Sequence, residues 1–410
     1  MGIDLDRLES LVAEREPRVL SFLPEDDRFA RLRRESAALA ERWPVPERRP
    51  PLFGVPVGIK DIFHVDGFET RAGSRLPPEI MAGPEGPAVA ALREAGALVL
   101  GKTVSTEFAY FAPGPTRNPR HPEHTPGGSS SGSAAAVAAG LCPLALGSQT
   151  IGSILRPAAF CGLVGFKPSY DRVSREGVIP LAPSYDHVGF LAADVDTARR
   201  AAAALIPGWR TVSAKRRPRL GVPEGPYLER TAGEGGEHFR GICRRLAQAG
   251  YEVVPAPALL DFDEVVARHR RVVAAEAARV HAEWFARHGD LYDSRTAELI
   301  RRGQEIDDSQ LARDLAASAS LREALTAPMD ERGLDLWISP PALGAAPRGL
   351  DSTGDPVMNL PWTQGGLPAI ALPAGSNDAG LPLGLQVVAR FGADEELLAW
   401  AGELARELTP

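Results

Sequence analysis

The sequence predicts an α/β fold in which helices cover both faces of a β-sheet. Two observations carry the prediction. Short apolar runs of strand length (FGVPVGIKDIF, ALVL, CPLALG, PRLGVPE, YEVVPAP, DLWISPPAL, LPAIALPAG, GLPLGLQVVAR) alternate with stretches of helical periodicity along most of the chain. No repeat or low-complexity tract interrupts them, and 410 residues suffice to bury a large core without staples.

In chain order, Leu5, Leu8, Leu11 and Val12, then Phe29, Leu32 and Leu39, recur at helical spacing and predict two or three helices over 1–44. With the Pro-punctuated link at 48–51 they form a helical cover, residues 1–50, ahead of a core at 51–410. FGVPVGIKDIF is a strand with Val55, Val57 and Ile59 on one face and Lys60 on the other. EGPAVAALREAGALVLGK, 85–102, reads as helix then strand. It contains the letters of a phosphate loop, Gly96 to Thr103. There Ala97 to Leu100 are themselves the strand, and an extended backbone cannot form the nest of N–H groups that cradles phosphate. Nucleotide binding is set aside.

From Thr125 to Pro168, two loops rich in glycine and hydroxyls, GGSSSGS at 127–133 and GSQTIGS at 147–153, flank a small-residue helix and a short strand. Glycines let main-chain N–H groups converge, and a helix N-terminus adds positive potential, so the pair suits an anion or a developing oxyanion. Beyond it follow a helix from about 194, a strand at 218–224, a helix from Glu234 to Ala249, and one long helix from Phe262 to His288. Residues 292–328 are helical again, and the region 262–328 is expected to wall the substrate. Three strands and a helix from Asp394 close the chain.

The net charge of −7, with both signs mixed, offers nothing to nucleic acid or an anionic membrane. Cys142, Cys161 and Cys243 lack metal-ligand spacing and read as buried thiols. MGIDLDRLES has no apolar leader, Asp6 stands where a myristoylation motif wants Ser or Thr, and no run reaches membrane-span length. The cytoplasm is the expected location.

GGSSSGSAAAVAAG followed by GSQTIGSILRPAAFCGLVGFKP resembles the signature of the amidase signature family of serine hydrolases, and GVPVGIKD resembles its lysine motif. STGDP at 352–356 and GLQVVARFG at 384–392 extend the likeness over nearly the whole chain. The SSSGS and SQT loops are most similar to the malonamidase branch of the family. The resemblance implies one large domain, a mixed β-sheet flanked by helices, and no cofactor or metal. It implies Ser153 as nucleophile, Ser129 as bridging hydroxyl after a cis peptide from Gly128, and Lys60 as a neutral base. It implies an oxyanion hole from the N–H groups of Thr150, Ile151, Gly152 and Ser153. Position 151 is usually glycine in the family, and a β-branched residue is poorly suited to φ > 0. Arg156, three residues after the nucleophile, matches the malonamidase arginine that grips a substrate carboxylate. The other reading of Arg156 is an arginine tied to core carbonyls.

A small amide is the expected partner, with a malonamate-like monoamide first and carboxylated ureas of the biuret–allophanate type second; a homodimer is left open. A second class is the glutamine-hydrolysing subunit of a tRNA amidotransferase, against which stand Gln149, where that subunit usually has Asp, and the Arg156 spacing. A third is a non-catalytic binder, motivated by Ile151 and opposed by the presence of Lys60, Ser129 and Ser153. Asp61 is read as an orienter of Lys60, Ser131 and Ser148 as supporting hydroxyls. The histidines are read as turn, packed or solvated residues. Gly128-Ser-Ser130-Ser-Gly132 has the letters of a hydrolase elbow but follows a Pro-rich loop, not a strand.

Overall fold

In a computed structural model, which describes residues 4–231 and 233–408, the alternation of the strands resolves into two buried faces. The strands are β1 (Pro56–Lys60), β2 (Leu98–Thr103), β3 (Leu144–Gln149), β4 (Val164–Lys167), β5 (His187–Ala192), β6 (Leu220–Glu224), β7 (Val253–Pro257), β8 (Leu336–Ser339), β9 (Ala369–Ser376) and β10 (Pro382–Val388). They form one sheet in the order β2-β1-β3-β5-β4-β9-β10-β8-β6-β7. Pairing is parallel for β2-β1-β3 and for β8-β6-β7, and antiparallel for the strands between. This is a mixed sheet flanked by helices.

Side chains alternate across it, as the pleat requires. Leu144, Leu146, Phe190, Ile370 and Leu372 join one apolar cluster, together with the helices Val195–Leu205 and Asp394–Leu408. Ala145, Leu191, Ala369 and Ala371 join the other, with the helices Ser131–Ala138 and Leu155–Cys161. The small residues of Ser131–Ala138 let that helix lie directly on neighbouring backbone. A Cβ at Gly132 would come within 2.2 Å of the Ser21 carbonyl oxygen and 2.3 Å of the Val104 nitrogen. Any side chain there would push the serine-bearing helix start away from its seat.

The parallel pair β1 and β3 matters most for function. Ile59 pairs with Leu146, so Lys60 and the loop leaving β3 emerge at the same edge of the sheet, at the carboxyl ends of both strands.

Several expectations change. The stretch from Phe262 to His288 is two helices, Phe262–Val280 and Ala282–His288. They part at buried His281, whose ring packs edge-on against Phe108 at 4.5 Å and pins the chain there. Residues 292–328 also divide, into Ser294–Gln304 and a longer helix Asp308–Arg332, which starts afresh where the Asp307 carboxylate accepts the Gln310 N–H. Asp61 does not orient Lys60: its carboxylate meets Lys102 at 2.8 Å in a buried ion pair. Lys102, the lysine of the false phosphate loop, lies inside β2 with that carboxylate as its partner. The cysteines are free; Cys243 is only half-buried, against the reading of a buried thiol, while burial pushes the thiols of Cys142 and Cys161 up to about 12. Among the described residues no helix is long and apolar enough to cross a membrane. The first three residues of the amino-terminal stretch read for leader signals lie outside the described residues.

Candidate active site

Lys60 closes β1 with its side chain fully buried. Its Nζ lies 2.6 Å from Ser129 Oγ and 2.8 Å from Ser148 Oγ. No carboxylate forms an ion pair with it among the described residues. Burial therefore holds the amine well below the usual lysine range, and the Asp186 carboxylate opposes this only in part. Ser148 supports the site through this contact with Lys60. Ser131, buried at the start of its helix, takes no part in the network.

The two loops are stitched together. The Gly128–Ser129 peptide is cis, the geometry the resemblance implies. The Ser130 N–H donates to the Ser153 carbonyl at 3.4 Å, and Ser130 Oγ lies 3.3 Å from both the nitrogen and the carbonyl oxygen of Ser148. Ser153 is 7 % exposed, and no hydrogen bond among the described residues holds its hydroxyl.

Thr150, Ile151, Gly152 and Ser153 lie between β3 and the helix Leu155–Cys161, and none of their N–H groups donates within the described residues. Buried N–H groups are nearly always paired, and these four are free to take an acceptor. The loop itself is well held. Gln149 Oε1 accepts the N–H groups of Ile154 and Leu155, Thr363 Oγ1 donates to the Ile151 carbonyl at 2.7 Å, and Thr150 Oγ1 donates to Asp186 at 2.5 Å. Asp186, which also accepts from Leu181 and Ala182, is pushed up to about 6 by desolvation. Ile151 is not in the left-handed region, so its branched side chain imposes no backbone strain and instead forms part of the cleft wall.

Gly152 is required for a different reason than φ. A Cβ there would stand 2.3 Å from Asn359 Oδ1 and 2.9 Å from Pro356 Cβ. Gly152→Ala is therefore expected to displace the loop and lower kcat by about 10²- to 10³-fold, the cost of losing oxyanion donors. Ammonia release by a variant whose thermal midpoint is recorded alongside checks this, and a kcat within threefold of wild type would contradict it.

Arg156 sits on Leu155–Cys161, only 1 % exposed. Its Nη2 donates to the Gly128 carbonyl at 2.7 Å and to Thr353 Oγ1 at 3.1 Å, while Nε and Nη1 are buried without partners. Burial lowers the guanidinium to about 10. It does not line the cleft that Ile151 borders. That cleft, about 560 Å³, is lined by residues that include Ile151, Tyr110, Val273, Leu299 and Val357 together with Arg270, Arg271 and Arg302; Ile151 is the serine-loop residue that borders it, and Lys60, Ser129 and Ser153 are not among its lining residues.

Sequence reasoning does not single out His269. Its Nε2 donates to the Thr150 carbonyl at 3.1 Å, and its ring stacks on Tyr185 at 4.5 Å. Burial lowers it to about 3, so it is neutral and holds the serine loop as an uncharged donor. A signal is nonetheless present: His269 falls in the apolar stripe Val265, Val272, Val273, where an imidazole needs a buried partner.

A family model for amidases matches residues 28–398. The chain belongs to the amidase signature family. This amidase is 33 % identical over 395 residues to a glutamyl-tRNA(Gln) amidotransferase subunit from Koribacter versatilis, covering 83 % of the chain and 82 % of the relative. A crystal structure of an amidase superposes with a TM-score of 0.89 at 33 % identity, over 99 % of this chain and 95 % of that one. A chain from a vestigial protein complex that reveals the evolutionary origins of an s-triazine catabolic enzyme superposes with a TM-score of 0.85 at 26 % identity, over 99 % and 96 %. The amidase is thus a hydrolase of amide C–N bonds, with relatives that do not single out the malonamidase branch.

Proposed function

We propose that this amidase cleaves a small, carboxylate-bearing primary amide to acid and ammonia through Ser153, Ser129 and Lys60. The observation that carries the reading is the fully buried Lys60 amine within hydrogen-bond reach of Ser129 Oγ, without an ion-pair partner to keep it charged. A neutral Nζ accepts the Ser129 proton as Ser129 takes that of Ser153, and Ser153 Oγ attacks the amide carbon. The resulting oxyanion lies among the free N–H groups of Thr150 to Ser153. The proton on Lys60 returns through Ser129 to the departing nitrogen, ammonia leaves, and water hydrolyses the acyl-Ser153 ester by the same relay in reverse roles. No step calls for a cofactor or metal.

The acidic substrate class rests on the arginines that line the cleft and on the resemblance, with malonamate and carboxylated ureas as its smallest members. The test is ammonia release by the purified chain from malonamate, glutamine and hexanamide, with mass spectrometry of the acyl adduct. An adduct on Ser153 supports the reading; turnover with an adduct elsewhere, or none in a rapid quench, overturns it.

Arg156 provides a further check. Because it grips the Gly128 carbonyl, next to Ser129, Arg156→Ala is expected to lower kcat about 10²-fold, the scale of misplaced catalytic groups, with KM changed less. A large KM rise at unchanged kcat would instead make it a direct carboxylate clamp.

A second reading is favoured by the amidotransferase subunits found as relatives, of which this chain covers most of the length. On it the chain serves as the glutamine-hydrolysing partner in an assembly of the cytoplasm. Glutaminase activity that appears only with a partner chain would establish it, and robust turnover of another amide by the isolated chain would remove it.

A further inference from the structure

We propose that the cleft reads the anionic group of its substrate at its outer wall, through Arg270 flanked by Arg302 and Tyr110. The preferred substrates are then primary amides whose carboxylate lies across an apolar spacer from the scissile bond. This rests on the amide-hydrolase reading above and adds the length and polarity of the substrate.

The charges along the cleft lead to Arg270. Arg271 is neutralised by Asp314 at 2.7 Å and Glu264 at 2.8 Å, and Arg302 is paired with Glu298 at 2.8 Å. Arg270 has no ion pair or hydrogen bond among the described residues and stands exposed at the cleft wall. The carboxylate that lines the same cleft, Asp355, is occupied in part by the Val357 N–H. Tyr110 offers a phenolic donor in the same region, and both Arg270 and Arg302 act electrostatically on its hydroxyl.

Size points the same way. A volume of about 560 Å³ falls within the range that encloses drug-sized ligands, far more than a three-carbon monoamide fills. Apolar side chains line the same cleft, among them Ile151, Val273, Leu299 and Val357. A methylene chain buries itself there at a gain of ~0.8 kcal/mol per CH₂. Arg156 is buried, holds Gly128 and Thr353 through Nη2, and is not among the residues that line this cleft.

The experiment compares kcat/KM for adipamate, hexanamide and malonamate in wild type, Arg270→Gln and Arg270→Glu, with adipate binding by calorimetry in parallel. In wild type, adipamate is expected to exceed both hexanamide and malonamate. Arg270→Gln is expected to cut the adipamate-to-hexanamide ratio about tenfold, mainly through KM, the scale of one hydrogen bond to a charged group. Arg270→Glu is expected to favour 6-aminohexanamide over adipamate. Adipate is expected to bind wild type and to bind Arg270→Gln about tenfold more weakly. A wild-type preference for malonamate, a ratio unchanged in Arg270→Gln, or no adipate binding overturns the proposal. Adipate binding that depends on Arg270, with no amide turned over, would leave the subsite standing and sink the hydrolase reading, so the two failures are distinguishable.

Discussion

Ser153→Ala is expected to abolish amide turnover, lowering kcat by on the order of 10⁴-fold or more, as loss of a nucleophile does. The fold should not notice. The Ser153 hydroxyl has no hydrogen bond to lose among the described residues, and its main-chain carbonyl, which accepts from Ser130, is untouched by the substitution. A thermal midpoint equal to or slightly above wild type should accompany the loss, because a partly buried, unpartnered hydroxyl gives the fold little. The acyl adduct should vanish with the activity. Turnover surviving within tenfold, in a variant with an unchanged midpoint, would mean that another group attacks the carbonyl.

Lys60→Met is expected to lower kcat by about 10³-fold, within the range that general acid–base groups contribute, while raising stability. Methionine fills the channel of the lysine stem without a buried amine. The sign follows from linkage. The folded-state pKa of Lys60 is depressed, so at neutral pH the unfolded chain binds the proton more strongly than the folded one. In wild type this residue's contribution to stability improves as pH rises from its folded pKa toward the usual lysine range. The stabilisation by methionine should therefore be largest at the acid end and fade as pH climbs toward that range. Activity carries the opposite face of the same titration. Only the neutral amine accepts a proton, so wild-type kcat/KM should fall as pH is lowered through the Lys60 pKa, and the residual rate of Lys60→Met should lack that limb. A residual rate that keeps the same limb would assign the titration elsewhere, with Asp186, at about 6, the nearest alternative.

The candidate catalytic set is legible in the sequence because the motifs that carry the family resemblance are short. Lysine at the end of an apolar strand, glycine and hydroxyl loops around a helix start, and a serine two residues before the next helix are patterns that extend over a few residues each. The residues that support the set are not legible in this way. Asp61 adjoins Lys60 in sequence yet pairs with Lys102, because the chain turns where β1 ends at Lys60. Ser148 reaches Lys60 across 88 residues and His269 reaches Thr150 across 119, separations that no periodicity records. Arg156 can be named from its motif, but its grip on the Gly128 carbonyl depends on how the first loop folds back over the helix Leu155–Cys161.

By itself, then, the sequence determined the α/β class and nearly every strand, which follow from burial periodicity, while the family and the candidate Ser-Ser-Lys residues came from the resemblance of its motifs. The tertiary structure alone decided the sheet order, the break of the long helix at His281, the benign conformation of Ile151, and which arginines line the cleft. Those depend on contacts between segments far apart in the chain, where the partner of a buried charge is set by strand register and helix packing and not by its neighbours in sequence.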